Sequence, residues 1–369
     1  MRTESQKNTE KNGILTEMND YIPERVKRMS EYVPDTSSPR VKLDANECPY
    51  PLPEDAKAAM LAALTPESLN RYPDPDMKDM LSAYGKYISV SPEQLVAGDG
   101  SDELINLIIN TFLCEGGKIV LCLPDFSMYK FYSELAGVDT VVYAKQDGMR
   151  IDFEELYGLV KREKANLVMF SNPCNPTSVL ESREAILDFI GKTDALVVVD
   201  EAYMEFARQE RSVLDKINEY DNLIVLKTLS KVGLAGLRCG FAASSPHLIA
   251  ALKKTKSPYN MNTVTQAAVS AILGSFDGVR ENIKRIKQGA RRLYDGVIAL
   301  ADRGGFALEM SDTNFIYIRF SDKGKAVTLQ KELHVRGISV RCMNGCLRVT
   351  AGTEEENEEF IKAFSELIG

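Results

Sequence analysis

LVVVDEAYMEF, residues 196–206, decides how the rest of the chain is read. Leu196–Val199 is an unbroken apolar run that ends on two carboxylates, Asp200 and Glu201. A strand with one wet face alternates apolar and polar residues, whereas an unbroken run fits a strand covered on both faces. Similar runs lie on either side: Lys118–Leu123 (KIVLCL), Thr140–Ala144 (TVVYA), Leu167–Phe170 (LVMF), Leu223–Leu226 (LIVL) and Cys239–Ala243 (CGFAA). Helix-like stretches such as Phe153–Glu163 and Arg183–Ile190 separate most of them. The expected fold is α/β, with a mostly parallel central sheet flanked by helices.

Further out the pattern changes. One long helical stretch is expected from Thr263 to Leu300. The runs Phe315–Phe320 (FIYIRF), Ile338–Cys342 (ISVRC) and Leu347–Thr350 (LRVT) then precede an acidic helix, Glu354–Leu367, and read as a smaller α+β domain. Residues 1–20, rich in Lys, Glu and Asn, read as a disordered tail. A Pro-punctuated arm covers 21–53, a large domain 54–262, and an interdomain helix with the small domain 263–369.

The chain has 369 residues, which suggests two domains at roughly 150 residues each. A net charge of −8 argues against a nucleic-acid partner. No apolar stretch approaches the ~20 residues needed to span a membrane, and the polar start carries no secretory h-region. Seven cysteines without scaffold spacing suit a reduced, cytoplasmic setting. With two distant histidines, His247 and His334, and no CxxC pair, no metal site is expected.

Four segments could carry chemistry. GDGSDELINLIINTF (Gly98–Phe112) is either an ordinary capped helix or a phosphate seat, where small residues expose N–H groups at the positive end of a helix. It is not a dinucleotide fingerprint, because it lacks a third Gly and no strong strand precedes it. SNPCNPTS (Ser171–Ser178) is either a rigid turn or a turn that points an Asn amide into the crevice at a sheet edge. Asp200 and Tyr203 follow a buried strand, three residues apart, and would share one side if the chain turns helical there. In LIVLKTLSKVGLAGLRCGF (Leu223–Phe241), Lys231 is either a surface lysine or a Schiff-base nucleophile, with Arg238 beyond a Gly-containing loop. Taken in order, these segments describe one ligand with a phosphate, a basic ring nitrogen, a ring oxygen and an aldehyde. Pyridoxal 5′-phosphate has all four.

The motifs LDANECPYP, RYPDP, GDGSDE, PDFSMY, SNPCNPTS, VVVDEAYMEF, TLSKVGLAGLRCGF, SPYNMNTVTQ, GISVRC and LRVTAG span nearly everything from Tyr21 onward. In this order the chain resembles the fold-type I pyridoxal-phosphate aminotransferases, and among them the histidinol-phosphate aminotransferase group. The resemblance implies that Lys231 bonds to the cofactor aldehyde and then acts as general base. It places Asp200 at the ring nitrogen and Asn175 and Tyr203 at the ring oxygen. Gly100, Ser101, Asp102, Ser230 and Arg238 would hold the phosphate, and Phe126 would stack on the ring. Tyr72 would reach the phosphate of a partner subunit, which implies a homodimer with shared sites. Arg348 would bind the carboxylate of a 2-oxo acid, and Arg341 and Tyr21 the phosphate of the amino donor.

The chain departs from the family pattern in three places. Asn172-Pro173-Cys174-Asn175-Pro176-Thr177-Ser178 stands where Asn-Pro-Asn-Asn-Pro-Thr-Gly is frequent, Phe126 where Tyr is common, and the seven-residue step from Lys231 to Arg238 is shorter than in many relatives. Rival readings are an aminotransferase for aromatic or other amino acids, a phosphothreonine-type decarboxylase on the same fold, and a catalytically dead binding protein. The intact Lys231, Asp200 and Arg238 argue against the last.

Overall fold

The computed structural model describes residues 21–31, 38–64, 69–113, 116–209 and 211–369; the expected disordered tail lies outside these. Strands β1 (Val41–Leu43), β2 (Leu95–Asp99), β3 (Lys118–Leu123), β4 (Asp139–Ala144), β5 (Leu167–Ser171), β6 (Leu196–Asp200), β7 (Leu223–Thr228), β8 (Cys239–Ser244), β9 (Phe306–Ala307), β10 (Phe315–Phe320), β11 (Ile338–Met343) and β12 (Cys346–Thr350) form two sheets. The larger has the order β2-β8-β7-β6-β5-β3-β4. Only β8 runs against the other strands. Every residue of β5, β7 and β8 is buried, as their unbroken apolar runs require. The smaller sheet, β1-β11-β12-β10-β9, is antiparallel except where β1 of the N-terminal arm joins β11.

Each sheet has its own core, and one helix enters both. Asp277–Ile298 buries Val279, Ile283 and Ile286 with the large sheet. Its second half buries Ala290, Leu293 and Val297 with the small one. This helix is not continuous with the one before it, which corrects the single stretch expected from Thr263 to Leu300. The first helix, Thr263–Gly274, ends at Ser275, which has non-helical dihedrals (φ −132°, ψ 55°). The break lets Phe276 turn into the large core, 2% exposed, edge to face with Tyr87 at 4.8 Å between ring centroids. Periodicity averaged over a long window cannot register a kink this short.

The second correction concerns the Gly-rich turn, which does follow a strand. The β2 segment LVAGD pairs antiparallel with β8, with Gly98 opposite Gly240. Its apolar run is too short to stand out, and its partner lies far away in sequence. Gly240 serves this corner directly: a Cβ there would lie 2.5 Å from Gly100 C and Ser101 N. The bare backbone lets the Gly100–Phe112 helix start hard against the sheet. Among the described residues no helix is long and apolar enough to cross a membrane.

Candidate active site

The strands β3, β5, β6 and β7 end on one edge of the large sheet, at Leu123, Ser171, Asp200 and Thr228. All four residues line a cavity of about 1030 Å³, and Tyr317, Arg341 and Arg348 of the small sheet face them across it. Ligands of open α/β sheets bind at this carboxyl edge.

Asp200, the last residue of β6, is buried. The Tyr129 hydroxyl donates to its Oδ2 at 2.8 Å and the Ala202 N–H to its Oδ1 at 3.0 Å. Burial pushes the carboxyl up to about 6, while these two donors pull it back down. A buried carboxylate held by neutral donors is set to receive a cation. After Asp200 the chain makes a tight turn, and helical geometry begins only at Met204–Phe206. Tyr203 still lines the cavity, buried, and its hydroxyl accepts from Asn46 Nδ2 at 2.9 Å.

Lys231 follows β7 in a wide single turn, Ser230–Leu234, which passes into the 3-10 turn Ala235–Leu237. Arg238 then takes a left-handed conformation (φ 49°). These compact turns bring the guanidinium back over the start of the Gly100–Phe112 helix despite the short spacing. The Gly100 N–H donates to Arg238 O at 3.1 Å, and Arg238 Nη2 lies 3.6 Å from Asp102 Oδ2. A Cβ on Gly100 would stand 2.4 Å from Arg238 Nη2. Ser230 completes the corner, its N–H donating to Thr228 Oγ1 at 3.1 Å. Burial raises the Asp102 carboxyl, against the pull of Arg238 and Lys231. Asp102 Oδ1 is buried with no hydrogen-bond partner. Helix start, serine and arginine together supply hydrogen-bond donors and positive charge at this corner, the chemistry an anion needs.

The SNPCNPTS turn hangs from a buried ion pair. Lys145 Nζ lies 3.2 Å from Asp125 Oδ2 and donates to Cys174 Sγ at 2.9 Å. Asp125 accepts from the Ser171 hydroxyl, and Ser171 Oγ accepts from the Asn175 N–H at 3.0 Å. Asn175 Oδ1 in turn accepts from Arg348 Nη1 at 2.8 Å, so a residue of the large domain is gripped from the small sheet. Ser178, one of the departures from the family pattern, holds a left-handed φ of 63° and donates its N–H to Cys174 O at 2.8 Å.

Of the residues singled out from sequence, Lys231, Asp200, Tyr203, Asn175, Ser101, Asp102, Ser230, Arg238, Phe126, Arg341 and Arg348 line this one cavity. Gly100 forms its corner. Arg341 and Arg348 are register partners on β11 and β12. Tyr21 and Tyr72 are not brought to it. Tyr21 is 85% exposed, and Tyr72, 80% exposed, stacks on Tyr259 at 4.5 Å in a separate open hollow. Sequence reading missed Tyr129 and Asn46. Tyr129 stands three residues after Phe126 on one helix face, a spacing that could have flagged it. Asn46 lies inside the LDANECPYP motif, but nothing in its local sequence points to Tyr203, 157 residues away.

Sheet order, cavity position and lysine–aspartate–arginine arrangement describe a fold-type I enzyme of the aminotransferase class. The chain belongs to the class I and II aminotransferase family, whose model matches residues 38–364. The histidinol-phosphate aminotransferase of Thermoanaerobacter sp. is 34% identical over 351 residues, 94% of this chain and 98% of that protein. The histidinol-phosphate aminotransferase of Clostridium kluyveri is 35% identical over 331 residues, 89% of this chain and 93% of that protein. The crystal structure of histidinol-phosphate aminotransferase from Sinorhizobium meliloti in complex with pyridoxal 5′-phosphate superposes with a TM-score of 0.85 at 25% identity. It covers 94% of this chain and 97% of that one.

Proposed function

We infer that this chain is a pyridoxal-phosphate-dependent aminotransferase that moves the amino group of histidinol phosphate to 2-oxoglutarate. The observation that carries the reading is one cavity with an anion seat at one end, a lysine and a buried carboxylate in the middle, and paired arginines opposite. The residues fit the cofactor. The bare Gly100 corner under Arg238 suits its phosphate, and Asp200, held by the neutral donors Tyr129 and Ala202, suits a protonated ring nitrogen. Bound there, the cofactor supplies an aldehyde for the amino group and a ring that accepts electrons released at the substrate carbon.

The chain's own residues would divide the work. Asp200 holds a proton on the ring nitrogen by its charge. Asn175 and Tyr203 orient the ring oxygen, Phe126 covers one ring face, and Lys231 carries the proton to and from the substrate Cα. Arg341 and Arg348 are register partners on neighbouring strands and both line the cavity, where Arg348 also donates to Asn175 Oδ1 and Asp44 O. We assign the phosphate of the amino donor to Arg341 and the carboxylate of the 2-oxo acid to Arg348. Arg341→Gln is expected to lower kcat/KM for histidinol phosphate by ~30-fold or more, about 2–5 kcal/mol for a desolvated pair. The value for unphosphorylated histidinol should hardly change. No preference for the phosphorylated amine in the unmodified enzyme would sink the substrate assignment. A preference that survives Arg341→Gln would sink only the residue's role.

We also propose a homodimer with shared sites. Support comes from the exposed apolar patch around Tyr72, with Leu69, Tyr259 and Val264 beside it. Mixing inactive Tyr72 and Lys231 variants should restore part of the activity once subunits exchange. If exchange is demonstrated and activity stays absent, Tyr72 does not act across subunits. A cytoplasmic location is consistent with the six described cysteines, all free thiols. For the domain division we keep 54–262 and 263–369, with the Asp277–Ile298 helix as the link.

A further inference from the structure

The segment LDANECPYP has no role in the scheme above, yet Asn46 stands at the meeting point of the two sheets. It is 1% exposed and left-handed (φ 56°), a conformation Asn tolerates better than most residues. Its backbone N–H donates to Thr350 Oγ1 at 3.0 Å, and its backbone carbonyl accepts from Asn314 Nδ2 at 3.0 Å. The Thr350 hydroxyl donates to Asn46 Oδ1 at 3.0 Å. Thr350 ends β12 and Asn314 leads into β10, so the small sheet holds both the backbone and the amide oxygen of Asn46. The amide nitrogen is left pointing at the large domain, 2.9 Å from the Tyr203 hydroxyl.

An amide NH₂ only donates, and a tyrosine hydroxyl has a single proton. If Tyr203 oxygen accepts from Asn46, its own proton is directed elsewhere, toward the cavity. We propose that Asn46 is a positioning residue which fixes the direction in which Tyr203 donates, and that it does so from the small sheet. The proposal rests on the aminotransferase reading, in which Tyr203 donates to the ring oxygen of the cofactor. Lys231, Asp200 and Arg348 are among the charged groups that share the cavity with Tyr203. Lys231 Nζ lies 5.9 Å from the centroid of the Tyr203 ring, and Asp200 lies three residues before it. The Arg348 guanidinium lies 5.5 Å from the centroid of the Phe315 ring, which packs edge to face on Tyr203 at 5.2 Å between centroids. None of these is a neutral donor that could replace the amide of Asn46.

A proton donated to the ring oxygen lowers the proton affinity of the neighbouring nitrogen that joins cofactor to lysine. The pH midpoint of the holoenzyme's visible absorbance therefore reads the direction of the Tyr203 proton, independently of turnover. Asn46→Gly keeps the left-handed backbone unstrained and removes the amide. It is expected to raise the midpoint by about 0.5 to 1 unit, the size of one hydrogen bond. Tyr203→Phe should raise it at least as much, and adding Asn46→Gly to Tyr203→Phe should then shift it no further. Asn46→Asp keeps the Thr350 contact but accepts where Asn46 donates; it covers the case in which Asn46→Gly does not fold. Its upward shift should shrink in the Tyr203→Phe background to what its charge alone contributes. Equal shifts in both backgrounds, or no shift beside a clear effect of Tyr203→Phe, would overturn the role of Asn46 and leave the enzyme assignment standing. A holoenzyme without a visible band that depends on Lys231 would remove the aminotransferase reading and this proposal together.

Discussion

Lys231→Ala is expected to remove both the visible absorbance of the holoenzyme and all measurable turnover. Among the described lysines near the end of β7, this is the one that lines the cavity. Lys227, four residues earlier, is buried between Glu201 and Glu205, at 3.3 Å from each. Lys145 is committed to Asp125 and Cys174. Desolvation works against the charge on both of these lysines, but their carboxylate partners outweigh it and hold them protonated. A permanently protonated, fully paired amine cannot act as a nucleophile. Lys227→Ala is therefore the informative control. It should keep the absorbance in the folded fraction while destabilising the protein by about 3–5 kcal/mol, because buried Glu201 and half-buried Glu205 are left without their cation. Spectra of both variants at matched folded concentration decide the matter. A normal band in the Lys231 variant would refute the assignment.

Asp200→Asn should act in opposite directions on activity and stability. A neutral amide cannot hold a proton on the ring nitrogen, so kcat should fall by ~10³-fold or more, about 4 kcal/mol of transition-state stabilisation. The cofactor-free protein should gain stability at neutral pH. Burial raises the Asp200 carboxyl from the ordinary 3.8 to about 6, so between these values the folded state binds more protons than the unfolded one. Stability then declines as pH rises through this window and levels off above it. The span corresponds to about 3 kcal/mol. Asp200→Asn removes this part of the slope, so the variant's advantage over the unmodified protein should be small at pH 4 and largest at pH 7. Denaturant unfolding of both cofactor-free proteins across that range measures the difference. Near-normal kcat would mean that another group serves the ring nitrogen, and an unchanged pH slope would mean that Asp200 is ionised without strain. Such a site sacrifices stability for chemistry, a frequent feature of active sites.

The legible parts of the chain were those where one local pattern has one physical cause. Unbroken runs such as LVMF and LIVL marked β5 and β7, because a strand covered on both faces has no place for polar residues. The β2 strand and the break at Ser275 escaped. A short run ending in Gly-Asp earns its place only by pairing with β8, and a one-residue break leaves periodicity on either side intact. In the site, Lys231, Asp200 and Arg238 were visible because each sits beside a strand end or turn with its own signature. Tyr21 and Tyr72 lie in segments that no local pattern ties to the large sheet, and they stand exposed and apart from the cavity.

By itself the sequence determined which segments are buried, that the large sheet is mostly parallel, and which residues stand at its carboxyl edge. These follow from hydrophobic periodicity and from turn chemistry, which act over a few residues. Tertiary structure decided how those residues are held. Tyr129 reaches Asp200 across 71 positions, Asn46 reaches Tyr203 across 157, and Arg348 reaches Asn175 across 173. A hydrogen bond between side chains so far apart leaves no trace in local composition. It exists only because sheet order and the packing of the small sheet against the large one bring both ends to the same crevice, where burial makes an unpaired polar group too costly to leave.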